Sequence, residues 1–129
     1  MALQALYRLE MNPGTSTGEL ERFLAARLGD PGLQAFAHEL VAGVQRHRAD
    51  LDALLDSRAE NWRVSRMAAT DRAILRIAAF ELLHGTVPGP VAADEAIELA
   101  KRYGTAASGR FVAGLVGRLL AERGAAQAR

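Results

Sequence analysis

The sequence predicts an all-α, single-domain helical bundle. Three observations carry that prediction. Apolar residues recur at helical spacing in segments separated by Gly- and Pro-rich breaks. No segment shows the apolar/polar alternation bounded by hairpin signals that marks a strand. One stretch, DRAILRIAAFELL from Asp71 to Leu83, is apolar around nearly its whole circumference. Such a helix belongs inside other helices. It is too short for a membrane span, which needs about 20 apolar residues.

Taken in order, Met1 to about Met11 reads as a helix with Leu3, Leu6 and Tyr7 on one face, ended by the turn Asn12-Pro13-Gly14. Ser16 and Glu19 have capping-box spacing and open a second helix through Leu20, Phe23, Leu24 and Leu28. Gly29-Asp30-Pro31-Gly32 breaks it. Leu33 to Ala59 is a long amphipathic pattern through Phe36, Leu40, Val41, Val44, Leu51, Leu54 and Leu55. The polar run Gln45-Arg46-His47-Arg48 interrupts that pattern and predicts two helices meeting at an angle. Glu60 to Met67 reads as irregular, anchored by Trp62 and Val64. The central helix follows and must end at Gly85-Thr86-Val87-Pro88-Gly89-Pro90. Val91 to Tyr103 is amphipathic again (Val91, Ala92, Ile97, Leu99, Ala100) and is closed by Gly104. A last helix runs from about Ala106 to Arg123 with Phe111, Val112, Leu115, Val116, Leu119 and Leu120 inward. The expectation is therefore about seven helices packed round the Asp71–Leu83 segment.

The 129 residues fit one domain, and a 50 % hydrophobic content is enough for a core without staples. The chain contains no cysteine, which excludes thiol catalysis, disulfides and cysteine-based zinc sites. Met1 leads straight into an Ala/Leu segment, so neither a signal peptide nor a membrane association is expected, and the location expected is cytoplasmic.

Little in the sequence points to bond-making chemistry. His38, His47 and His84 have no histidine partner at ligand spacing, so no metal or cofactor is expected. Asp94, Glu95 and Glu98 fit a solvated face better than an acid–base pair. Phosphate loops, nucleophile elbows and HExxH patterns are missing, and an enzyme is not expected. The four charges of the central helix, Asp71, Arg72, Arg76 and Glu81, must each reach the rim of the bundle or find a partner.

One local feature does carry weight. From Lys101 to Phe111 a helix C-terminus, a glycine turn and a new helix N-terminus come together. Free amides at the new N-terminus attract anions, and Lys101, Arg102 and Arg110 add charge. Thr105 and Ser108 add hydroxyls, Gly109 allows close approach, and Phe111 offers a face for an unpaired base. The same residues also fit an ordinary capped corner with Phe111 in the core.

The segments ALQALY (Ala2–Tyr7), FAHELVAGV (Phe36–Val44), LDALL (Leu51–Leu55), DRAILRIAAFELL, VAADEAIELAKRYGT (Val91–Thr105) and RFVAGLVGRLL (Arg110–Leu120) resemble, in order and over most of the chain, the NusB family of bacterial transcription antitermination factors. That resemblance implies two helical subdomains, here about 1–60 and 61–129. It implies binding of boxA-type RNA together with NusE, a small-subunit ribosomal protein, and entry into the RNA polymerase elongation complex. It maps the NusE contact onto Tyr7, Asp71 and Arg76, and the RNA contact onto Ser108, Arg110 and Phe111, beside Lys101 and Arg102. Two departures bear on the RNA affinity expected. The arginine-rich run that the family carries just before ALQALY does not precede it here, so either the native start lies upstream of Met1 or RNA binding is weakened. Where the family has an acid, a histidine and an asparagine near the start of the last helix, this chain has Ala107, Gly109 and Ala113. The competing expectation is a protein-interaction scaffold or homodimer without direct RNA contact.

Overall fold

The computed structural model describes residues 17–27, 29–59, 63–85 and 88–127. The expected Met1–Met11 helix with Tyr7, the Asn12-Pro13-Gly14 turn, Ser16 and Trp62 lie outside them. The described residues form six α-helices and no strand: α1 (Thr17–Arg27), α2 (Pro31–Arg46), α3 (Arg48–Arg58), α4 (Ala69–His84), α5 (Gly89–Tyr103) and α6 (Ser108–Gln127), with a single 3-10 turn at Val64–Arg66. The fold is all-α, as the sequence predicts.

Helix α4 is the axis. It packs against α2, α3, α5 and α6, while α1 packs on α2. Every residue from Ala73 to Ala79 is buried, and so are Glu81 and Leu82. An ordinary surface helix buries one stripe; here both Ile74 and Leu75, adjacent in sequence and 100° apart round the helix, are 0 % exposed. Removing each such side chain from water contributes about 1.5–3 kcal/mol. Helices α5 and α6 close over one side of α4. The buried stripe of α5 is Ala92, Ala93, Ala96 and Ala100, small side chains that let its backbone approach closely.

The breaks have local causes. Asp30 is less a stop than a start: its Oδ1 accepts from the Gly32 amide at 2.7 Å, with Pro31 in the first turn, where its missing N–H costs nothing. The interruption at Gln45–Arg48 reduces to His47. Its N–H closes α2 on the Gly43 carbonyl at 3.0 Å, and its own carbonyl opens α3 by accepting from Leu51 at 2.9 Å. Beyond α3, the Val64 amide donates to Asp56 Oδ1 at 2.7 Å. Arg72 Nη1 donates back to the carbonyls of Val64 (3.3 Å) and Met67 (3.2 Å), which fastens the 3-10 turn to α4.

Four apolar residues lie outside the core that the periodicity predicts: Leu33, Phe36, Leu83 and Val91 are 55 %, 47 %, 53 % and 45 % exposed. In α2 the buried stripe is Ala37, Val41 and Val44, one residue and so 100° away from Phe36. Val91 stands off the alanine stripe of α5 in the same way. Leu83 follows the last buried apolar residue of α4.

Candidate nucleic-acid interface

The corner between α5 and α6 is built by short-range capping. The Gly104 amide ends α5 on the Ala100 carbonyl at 2.9 Å. A Cβ at Gly104 would lie 2.5 Å from Ser108 Oγ and 2.7 Å from the Ala100 carbonyl oxygen, so the position needs glycine for space. Ser108, 2 % exposed, accepts through Oγ from the Thr105 amide at 2.9 Å and lies 3.1 Å from the Thr105 hydroxyl. Its own amide goes to the Thr105 carbonyl at 3.0 Å, and the Phe111 amide to that of Ala107 at 3.1 Å. Ser108 therefore holds the corner rather than presenting a hydroxyl to a ligand. The amides of Gly109 and Arg110 remain without a backbone acceptor among the described residues, at the positive end of α6.

Three cations surround this start. Lys101, Arg102 and Arg110 are all exposed. Lys101 Nζ lies 4.0 Å from Glu98 Oε1, a wet pair of little strength. The Arg102 guanidinium stands 5.8 Å from the Tyr103 ring centre. Phe111 is half-buried, with part of its ring packed against the core and part left accessible.

Phe111 and Ser108 also line a cavity of about 320 Å³, whose opposite wall carries Asp71, in the first turn of α4, and Arg66, from the 3-10 turn. Residues that the family resemblance assigns to two different partners thus line one space. Asp71 is half-buried, and its Oδ1 is shielded from solvent without a hydrogen-bond partner among the described residues. Arg66 is the residue that sequence reasoning missed; its only signal was a basic side chain in a stretch read as irregular.

The other charges of the central helix divide. Arg76 is 7 % exposed and makes a two-pronged pair with Asp52 of α3, Nε–Oδ1 2.8 Å and Nη2–Oδ2 2.9 Å. It is spent inside the chain rather than standing on a docking edge. Burial, and then the neighbouring Arg76, lower the pKa of Arg72. Glu81 departs from the expectation that each charge finds rim or partner. It is 5 % exposed and its Oε2 has no hydrogen-bond partner among the described residues. Burial, and secondarily the Glu95 charge across on α5, push its carboxyl up to about 7. Among the described residues no group of three His, Asp or Glu side chains is placed to hold a metal ion, and no helix is long and apolar enough to cross a membrane.

Residues 1–120 match the NusB family. The chain belongs to the NusB family. It is 43 % identical over 123 residues to the transcription antitermination protein NusB of Myxococcus xanthus (strain DK1622), covering 92 % of this chain and 88 % of that one. The corresponding protein of Symbiobacterium thermophilum is also 43 % identical, over 93 % of this chain and 84 % of its own. Among solved structures, T. maritima NusB superposes with a TM-score of 0.82 at 34 % identity, over 94 % of this chain and 86 % of that chain. A crystal structure of the antitermination factors NusB and NusE in complex with dsRNA contains the same fold, with a TM-score of 0.80 at 23 % identity over 94 % of this chain and 91 % of that one. The NusB family thus supplies the all-helical frame, and α4, α5 and α6 of this chain place the cationic corner within it.

Proposed function

We propose that this chain acts as a cytoplasmic transcription antitermination factor that binds boxA-type RNA jointly with a NusE-type ribosomal protein and carries both to the elongating RNA polymerase. The observation that carries the reading is the α5–α6 corner. Three exposed cations surround a helix N-terminus with two amides that have no backbone acceptor among the described residues, beside a half-exposed aromatic ring and a cavity shared with Asp71. That combination supplies phosphate contact and base stacking without a catalytic group. Its relatives are named for antitermination, and one protein of this fold was crystallised with NusE and dsRNA. Lys101, Arg102 and Arg110 take phosphates and Phe111 takes a base, while Ser108 sets the corner. Tyr7 and Asp71 face the protein partner, and Arg76 holds α3 against α4 behind that surface. With Ala107, Gly109 and Ala113 in place of polar side chains, base-specific readout is thin and RNA affinity of the chain alone is low. Fluorescence anisotropy of a boxA-type RNA, with the chain alone and with NusE, tests this. Tight binding only in the presence of NusE is expected, together with a solution mass of a one-to-one heterodimer. Arg110→Ala removes one phosphate-binding cation, so it should weaken binding and lower the salt slope by about 0.7. An Arg110→Ala chain that binds like the parent at every salt concentration sinks the reading.

A further inference from the structure

The Gln45-Arg46-His47-Arg48 run has no part in the site above, yet the fold gives it surroundings of its own. Its Arg46 lines a second cavity, of about 300 Å³, between α2 and the C-terminal end of α4, with Phe36, His38 and Arg46 on one side and Phe80 and His84 on the other, while His47 and Arg48 follow at its edge in sequence. The His47 ring stacks on His84 with centroids 4.4 Å apart and 19° between planes. Phe80 tilts against both, at 6.0 Å from His47 and 5.5 Å from His84. Gly43 makes this possible, since a Cβ there would overlap the Phe80 ring. Arg46, Arg48 and His84 are exposed, and among the described residues no carboxylate pairs with either arginine. Opposing them in the cavity are Glu39, which is exposed, and Glu81, whose carboxyl titrates near neutrality and so carries only part of a charge there.

Flat rings beside a cavity, flanked by arginines with no carboxylate partner among the described residues, are the chemistry that binds an unpaired nucleotide, with the base on a ring face and the phosphates on arginine. We propose that this α2–α3 corner is a second contact for single-stranded RNA, in which one base stacks against His84 and Phe36 while Arg46 and Arg48 hold the flanking phosphates. The proposal rests on the RNA-binding reading given above and adds a site at the other end of the same helix. From Asp71 to His84, α4 rises about 20 Å at about 1.5 Å per residue, so an RNA that touches both corners must run the length of α4.

The test is fluorescence anisotropy of a labelled single-stranded RNA long enough to span both corners, over a salt series, in the presence of NusE. The parent chain is compared with Arg46→Ala/Arg48→Ala, His84→Ala and Arg110→Ala. The double arginine variant should lower the salt slope by about 1.4, two phosphates at about 0.7 each for a single strand. His84→Ala should lower affinity about tenfold through the missing stacking face. Thiouridine-substituted RNA should crosslink to the peptide bearing Phe36–Arg48. All three substituted side chains are exposed, but His84 also packs on His47 and Phe80, so far-UV circular dichroism should hold in both variants and the thermal midpoint in Arg46→Ala/Arg48→Ala, which separates a weakened RNA site from a damaged fold. Parent-like affinity and slope in both α2–α3 corner variants, alongside weakened binding by Arg110→Ala, overturns the second contact and leaves the proposed function standing. A parent chain that binds no RNA in any of these conditions overturns both.

Discussion

Glu81 offers the sharpest physical test of the fold. Substituting glutamine keeps the volume and removes the titration. In the native chain Glu81 is 5 % exposed, its Oε2 has no hydrogen-bond partner among the described residues, and burial pushes its pKa up to about 7 from an ordinary 4.5. The folded state therefore binds this proton more tightly than the unfolded state does. The stability that the neutral carboxyl contributes is fully present below about pH 4.5 and drains away as the pH rises to about 7. Two to three units of pKa difference, at about 1.4 kcal/mol each, make the loss about 3 kcal/mol by about pH 8. That is a large share of the roughly 5–15 kcal/mol by which domains are stable. Urea unfolding followed by circular dichroism should show the parent losing stability relative to Glu81→Gln across that interval, with the two curves parallel again above it. Other carboxylates and histidines titrate in both proteins and cancel in the difference. If the two stability–pH curves run parallel throughout, Glu81 is well solvated or paired and the reasoning about α4 is wrong.

Other substitutions separate the remaining roles. Arg76→Ala leaves Asp52 unpaired with its side chain 27 % exposed, so urea unfolding should show a loss of about 3 kcal/mol, the low end for a broken buried pair. Replacing both partners by apolar residues should recover most of it. Asp71→Ala removes an acid whose Oδ1 has no hydrogen-bond partner among the described residues, so the thermal midpoint should hold or rise while NusE affinity, read by calorimetry, falls. Unfolding by Asp71→Ala would make that charge structural and end the interface assignment. Gly104→Ala forces a methyl group into the space held by Ser108 and the Ala100 carbonyl, so it should cost about 1–3 kcal/mol and weaken RNA binding together with the corner.

What the sequence made legible follows from which signals are local. Helix breaks are local, so the α2–α3 junction at His47 and the α5 stop at Gly104 could be read from residue type and order alone. The burial of α4 was legible too, because nine of its residues from Ala73 to Leu82 leave no polar side wide enough for water. What pairs with a charge is not local. Arg76 and Asp52 stand a whole helix apart in sequence, and nothing in either segment foretells their two-pronged contact. Periodicity also failed by one residue at Phe36 and Val91, since an apolar side chain 100° off the stripe looks the same in a linear pattern. His47 and His84 meet only because α2 ends beside the last turn of α4.

On the proposed function, the cavity between the first turns of α4 and α6 would couple the binding of partner and RNA. Asp71 lines the same space as Ser108 and Phe111, so in the isolated chain an acid faces the path proposed for phosphates. Like charges at that range repel, and the shielded Oδ1 has no hydrogen-bond donor among the described residues to offset it. A basic side chain of the partner, seated on Asp71, would remove the repulsion and leave Arg66, Lys101, Arg102 and Arg110 as the prevailing field. Partner binding then raises RNA affinity, and by reciprocity RNA raises partner affinity by the same factor. Asp71→Ala must therefore act with opposite signs on two RNA measurements. It should strengthen RNA binding by the chain alone and weaken it in the presence of NusE, a crossing that neither a purely structural nor a purely RNA-contacting Asp71 can produce.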